Sequence, residues 1–82
     1  MYGKCFNKVP NQYVILVDGG QVFQSFDTII AIVKADGSVI LDENMWDCSA
    51  TTRKYRIKFL KEPTEVTLKK IKAGIYKLEN LN

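Results

Sequence analysis

The chain has 82 residues, 46% of them apolar and 26% charged, with a formal net charge of +3. That length gives one domain, residues 1–82, which buries about 60–65% of the surface its unfolded form exposes. The ordinary apolar content and charge exclude a disordered chain. Histidine is absent, which removes the usual acid–base group at neutral pH and the commonest partner of a Ser or Cys nucleophile. The charge is unevenly spread. Residues 1–50 carry three Lys against six Asp/Glu, and residues 51–82 carry nine Lys/Arg against three Glu.

The N-terminus, MYGKCFNKVPNQYVILVDGG, has no basic region followed by a long apolar stretch, and its longest apolar run is YVILV. It reads as neither a signal peptide nor a membrane span, so the expected location is the cytoplasm of a host cell, with no membrane partner. Cys5 and Cys48 lie 43 positions apart and lack Cys-x-x-Cys spacing. They are expected to be reduced thiols, with a disulfide or a dimer link as the alternative.

Gln12-Tyr13-Val14-Ile15-Leu16-Val17 is a β-branched apolar run closed by Asp18-Gly19-Gly20, and QVFQSF (21–26) follows at once, which is a hairpin signal. DTIIAIVK (27–34), Ala35-Asp36-Gly37-Ser38 and VILD (39–42) repeat the grammar. A two-residue type I′ loop at Asp36-Gly37 would pair Val33 with Ile40 and Ile32 with Leu41. Whether QVFQSF runs into DTIIAIVK as one bent strand is open at this level. Both faces of the second hairpin are apolar. The main expectation is that strand curvature and the helices bury both, and the alternative is that one face or edge binds a protein or a second copy.

Ser49 is placed to cap a helix over ATTRKYRIKFLK, which ends before Pro63. On a helical wheel Tyr55, Ile57, Phe59 and Leu60 form a broad apolar arc that contains Arg56 and borders Arg53, while Lys54, Lys58 and Lys61 line the open side. A second helix fits Thr64 as N-cap, Glu65 in the first turn, Leu68 and Ile71 inward and Gly74 as the stop. Lys69, Lys70 and Lys72 suit its C-terminal dipole. IYKLENL (75–81) reads as a last strand at an edge, with Tyr76 and Leu78 on one side and Lys77 and Glu79 on the other. The fold class is α+β: two antiparallel hairpins in a curved sheet, two short helices packed on it and a final strand, in the order ββββααβ.

Chemical motifs are few. Asp18-Gly19-Gly20 precedes a strand rather than a helix, so it is not a phosphate loop, and two cysteines without histidine cannot fill a standard zinc site. Asp42-Glu43-Asn44 with Asp47 lacks the spacing and turn glycine of a calcium loop and reads as a solvated link to the helix cap. No metal site, cofactor or catalytic residue is expected. Trp46 either plugs the end of the core or stands exposed as a binding hot spot. Asp47 can pair with Arg53 or Lys54, or order the helix start. Arg53 and Arg56 either snorkel, pair with a carboxylate such as Asp27 or Asp42, or remain free to grip phosphate or a partner carboxylate. Lys54, Lys58 and Lys61 form either a solvated face or a phosphate-neutralising row. The candidate contact residues are therefore Arg53, Lys54, Arg56, Lys58, Lys61 and Trp46.

The stretch VFQSFDTIIAIVKADGSVILDENMWDCSATTRKYRIKFL, above all Trp46-Asp47-x-Ser49-x-Thr51-Thr52-x-Lys54 leading to Phe59-Leu60, resembles a set of short bacteriophage and mobile-element proteins with no established activity. The resemblance covers about half the chain and carries over no functional residue. It implies a phage-like setting, in which a small protein without catalytic equipment acts by stoichiometric binding. The leading expectation is a non-enzymatic inhibitor or modulator of host defence or nucleic-acid machinery, with a host or phage protein as partner, and an anti-CRISPR-like role as one example. The alternatives are a nucleic-acid-binding protein using the basic helix 53–61, and a self-associating, homodimeric structural protein.

Overall fold

Short runs of β-branched residues separated by tight turns build most of the sheet. The computed structural model describes residues 11–82 and the backbone of residues 3–5. The elements are β1 (Gly3–Cys5), β2 (Gln12–Val17), β3 (Gly20–Ser25), β4 (Thr28–Val33), β5 (Val39–Asp42), α1 (Ala50–Leu60), α2 (Thr64–Lys72) and β6 (Tyr76–Glu79). All six strands form one sheet in the order β1-β2-β3-β4-β5-β6. The α+β class and the run of strands, two helices and a final strand are as expected. Two features were not legible: β1 adds a strand ahead of the first hairpin, and β6 pairs with β5 in parallel. A parallel return needs a long crossover, and the two helices provide it.

The turns set the register. Asp18 and Gly19, at φ 48° and 80°, make the two-residue link that pairs Val17 with Gly20. β3 and β4 are separate strands, since Ser25 pairs with Thr28 across Phe26-Asp27. Phe26 adopts φ 56° there, in a region that bulky residues avoid. The β4–β5 hairpin, the second of the two expected, differs from the predicted register. Val33 pairs with Val39 and Ile32 with Ile40, because the loop has three residues, Ala35-Asp36-Gly37, rather than two. Lys34 N–H donates to Ser38 O at 2.8 Å and Gly37 N–H to Lys34 O at 2.9 Å, with Gly37 at φ 90° as the left-handed residue that such a loop requires. Asp36 Oδ1 then accepts from Ser38 N–H and Oγ and fixes the turn.

A β-bulge between β3 and β4 changes which residues face the core. Phe23 pairs with Ala31 but Gln24 pairs with Ile29, so Ile30 is the extra residue. Consecutive Ile30 and Ala31 are consequently both fully buried. They join Phe23, Val39, Leu41, Tyr55, Phe59 and Tyr76 in the core, with Phe23 and Phe59 rings 5.6 Å apart.

Both helices lie on this one face. Ser49 caps α1 as predicted, its Oγ accepting from Thr52 N–H at 3.1 Å. In α2 the cap differs from expectation. The helix begins at Thr64 with Pro63 as its cap residue, whose C=O accepts from Val66 N–H and Thr67 N–H and whose side chain has no acceptor, while the Thr64 hydroxyl accepts from Arg56. Ile71 packs against the core as expected and Thr67 is fully buried, while Leu68 is 40% exposed. Gly74 at φ 79° ends the helix, and Ile75 N–H closes onto Lys70 O at 2.9 Å.

Gly20 is needed for space and not for φ. A Cβ built there would lie 2.4 Å from Val33 O. Gly20→Ala is expected to lower the free energy of urea unfolding by about 1–3 kcal/mol through overpacking against backbone. Gly37→Ala, which meets nothing within 4 Å, should cost only its left-handed strain, about 1–2 kcal/mol.

Candidate functional site

The link between sheet and helices gathers four of the residues singled out by sequence. Asp47 holds Arg53 in a two-point contact, with Nε 2.7 Å from Oδ1 and Nη2 3.4 Å from Oδ2. Arg56 is fully buried, so it is not a contact residue for any partner. Trp46 folds over it, with the guanidinium carbon 4.9 Å from the ring centroid, and Nη2 donates to Thr64 Oγ1 at 2.9 Å and Asp47 Oδ1 at 3.4 Å. Asp27 and Asp42 are not its partners. Burial lowers the Arg56 pKa, against the pull of Asp47, and Nε and Nη1 have no hydrogen-bond partner. Trp46 is half-buried against the core and covers this cation, so it serves the packing role. The cluster thus reads as structural.

A second polar group seals the helix start against the sheet. Thr52 Oγ1 lies 3.2 Å from Ser25 Oγ and 3.1 Å from Ser49 Oγ, and Cys48 Sγ donates to it at 3.7 Å. Cys48 is a free, exposed thiol. The side chain of Cys5 lies outside the described residues, so the pairing question concerns a residue that the structure does not describe. The hydrogen-bond partner of the Cys48 thiol is the Thr52 hydroxyl. Among the described residues, no group of three Cys, Asp or Glu could hold a metal ion.

Two carboxylates, Asp42 buried and Glu62 partly buried, fasten the helices and the C-terminal tail. Asp42 was read as part of a solvated loop, yet it is 1% exposed. Its oxygens accept from Asn44 N–H, Met45 N–H, Leu81 N–H and the Asn82 side-chain amide. Burial pushes its pKa up, but those four bonds outweigh it and hold the group below its ordinary value. Asn82 also bonds both the N–H and the C=O of Ile29, standing in for one more strand residue. Glu62 accepts from Lys70 Nζ and Tyr76 OH at 2.8 Å and from Thr67 Oγ1 at 2.6 Å. Its pKa is lowered in the same manner, against burial, by Lys70, Thr67 and Tyr76.

Two surfaces remain. On the helix layer Lys54, Lys58 and Lys61 are exposed, and the Lys54 and Lys58 ammonium groups lie 5.6 and 5.2 Å from the centroid of the Tyr55 ring. On the opposite side no described helix covers the sheet, so the helices bury one face only; on the other, Ile40 is buried and Ile15, Val22 and Ile32 are half-buried. The crossover from β5 to β6 passes wholly over the Phe23 face. The register draws one cross-strand row of Ile15, Val22, Ile32 and Ile40 ending at Lys77, flanked by Tyr13, Val17 and Ile29. At the hairpin tips of this face lies a pocket of about 350 Å³ lined by Val17, Val22, Ile32, Val33, Asp18 and Lys34 among others. Sequence reading flagged the second hairpin but missed Tyr13, Ile15 and Val17. Their alternation within YVILV was the available signal.

A protein-family model matches residues 2–75. The chain belongs to that family, a family of unknown function (DUF8033). No curated protein and no solved structure matches it. Among the described residues, no helix is long and apolar enough to cross a membrane.

Asp47→Ala leaves the buried Arg56 cation without its carboxylate and should cost about 1–3 kcal/mol in urea unfolding. Adding Arg56→Met should recover part of that loss, since the buried charge leaves with its partner. Asp42 and Glu62 both have folded pKa values below their unfolded ones. Their contribution is therefore complete above the unfolded carboxylate range, near pH 4, and is lost as pH falls through the folded values. Asp42→Asn and Glu62→Gln should each lower stability at neutral pH and flatten the acid limb of a stability–pH profile measured by circular dichroism.

Proposed function

We propose that this protein is a non-enzymatic binding protein that acts stoichiometrically on another protein through the helix-free face of its sheet. The observation that carries the reading is the apolar row Ile15–Val22–Ile32–Ile40 with Tyr13, Ile29 and the 43% exposed Val17 beside it. An antiparallel sheet with one solvated face ordinarily alternates apolar and polar residues, and this one is apolar on both. Ile40 is buried and Tyr13, Ile15, Val22, Ile29 and Ile32 are half-buried, so the face opens most at Val17, and an apolar face bordered by charged turns suits protein docking. The pocket beside Val17 and Val22 offers a recess for one anchoring side chain, the arrangement that dominates binding energy in many interfaces.

The phage-like setting implied by the Trp46-Asp47-x-Ser49 resemblance favours a host defence or nucleic-acid machine as the target, with the protein as its inhibitor or modulator. A second copy docked on the same face is the competing occupant. The test is affinity capture from nuclease-treated host lysate with the wild type, a Val17→Lys/Val22→Lys variant and a Lys54→Gln/Lys58→Gln variant. A discrete protein recovered in stoichiometric amount, lost with the first variant and kept with the second, is the expected result. Capture that ignores the sheet-face variant defeats the reading, and dimeric light scattering abolished by that same variant transfers the face to self-association.

A further inference from the structure

The lysines of α1 gather on one side of the helix layer, where Lys58 and Lys61 suit the helix dipole but repel one another and Lys54. Lys54 and Lys58 are four residues apart on α1, and Lys58 and Lys61 three apart, spacings at which like charges destabilise a helix. The first turn of α1 contains no acidic residue to offset them. The three ion pairs among the described residues use Arg53, Arg56 and Lys70, so none of these lysines has a carboxylate partner. The Tyr55 ring nevertheless holds the Lys54 and Lys58 ammonium groups no more than about 11 Å apart. On α2, Lys69 and Lys72 are also exposed, and both helices lie on the same side of the sheet. Exposed acids lie mostly elsewhere, at the strand turns, at Glu43 and at Glu79 on β6, with Glu65 the exception on the helices.

From this we infer a second binding surface, on the helix layer, for the phosphodiester backbone of a nucleic-acid duplex, with Lys54, Lys58 and Lys61 as its centre and Lys69 and Lys72 at its margin. It goes beyond the protein-docking reading, because it uses the opposite side of the molecule. The contact is to phosphate and not to bases. Both arginines of α1, the side chains suited to bidentate base recognition, are occupied or buried beneath Trp46 and Asp47. Stacking of unpaired bases is absent as well: Tyr55 and Phe59 are buried, and no exposed aromatic residue lies on either helix. A surface of ammonium groups without a stacking platform fits a continuous, base-paired backbone better than a single strand, and it binds without regard to sequence.

The experiment is filter binding of a labelled DNA duplex of about 20 base pairs across a salt series, with an unpaired strand of the same length and poly-glutamate as competitors. Three phosphate contacts predict a weakening of about 40-fold between about 50 and 200 mM salt. Lys54→Gln/Lys58→Gln/Lys61→Gln should remove about three contacts' worth of that salt slope, while Lys34→Gln/Lys77→Gln, which removes equal charge per site elsewhere, should leave it in place. Matched circular dichroism melts separate loss of binding from loss of fold. The inference is overturned by absence of duplex binding at low salt, by binding unmoved in the triple variant, or by poly-glutamate competing as well as DNA. The last result would reassign the surface to an acidic protein. The triple variant should still capture any protein that docks on the sheet face, so failure of one surface leaves the other separately testable.

Discussion

The parallel pairing of β6 with β5 governs the rest of the molecule. A chain that returns to lie parallel to its last strand must travel back along the sheet, and here it does so on one face with both helices. That single route buries Phe23, Ile30, Leu41 and Tyr76 under Tyr55 and Phe59, and among the described residues it leaves the other face without a helix. Asp42 pins the route at its departure by holding the turn after β5, and at its return by holding Leu81 and Asn82. Glu62 does the equivalent at the midpoint, tying the α1–α2 link to α2 through Thr67 and Lys70 and to β6 through Tyr76. The two carboxylates act as fasteners of a layer whose apolar contacts come mainly from Tyr55 and Phe59 of α1, with Ile71 packed against the core from α2 and Thr67 its fully buried side chain.

The separation of charge follows from the same route. The basic C-terminal segment becomes the helix layer, and the acidic N-terminal segment becomes strands and turns, so a polarity visible along the chain is converted into a polarity between two sides. Arg56 is the exception that clarifies the rule. It is the basic residue of α1 that faces inward, and it is accommodated by an aromatic face, a hydroxyl and a shared carboxylate. Two of its nitrogens still lack partners. A buried cation of this kind adds little stability by itself and is better understood as fixing how the Trp46 link meets α1.

Local signals in the sequence led to local structure. The Ser49 cap, the Asp18-Gly19 turn, the Gly74 stop and the edge character of the last strand were legible because each depends on a few adjacent residues. The misjudged features depend on distant ones. The register of the β4–β5 hairpin changed because Ser38 was recruited by Asp36 into a three-residue loop. Thr64 falls inside the helix, and its hydroxyl meets Arg56 eight residues earlier. Asp42 looked solvated because the tail that covers it lies 39 residues away. The bulge at Ile30 left no mark in a run of isoleucines. Of the six residues proposed for contact, Arg56 and Trp46 went to packing and Arg53 to an ion pair, while the three α1 lysines kept their exposure.

The placement of Trp46 also makes the molecule its own reporter. It is the single tryptophan in the chain, and it stacks on a charged group at the junction of sheet and helix. Indole fluorescence therefore watches one event, the release of α1 and its arginine from the end of the sheet, while far-ultraviolet circular dichroism watches the whole backbone. Coincident transitions would mean that the helix layer and the meander melt as one unit. An indole transition that comes first would mean that the layer lifts while the strands persist, exposing to solvent the core face that the helices had kept dry.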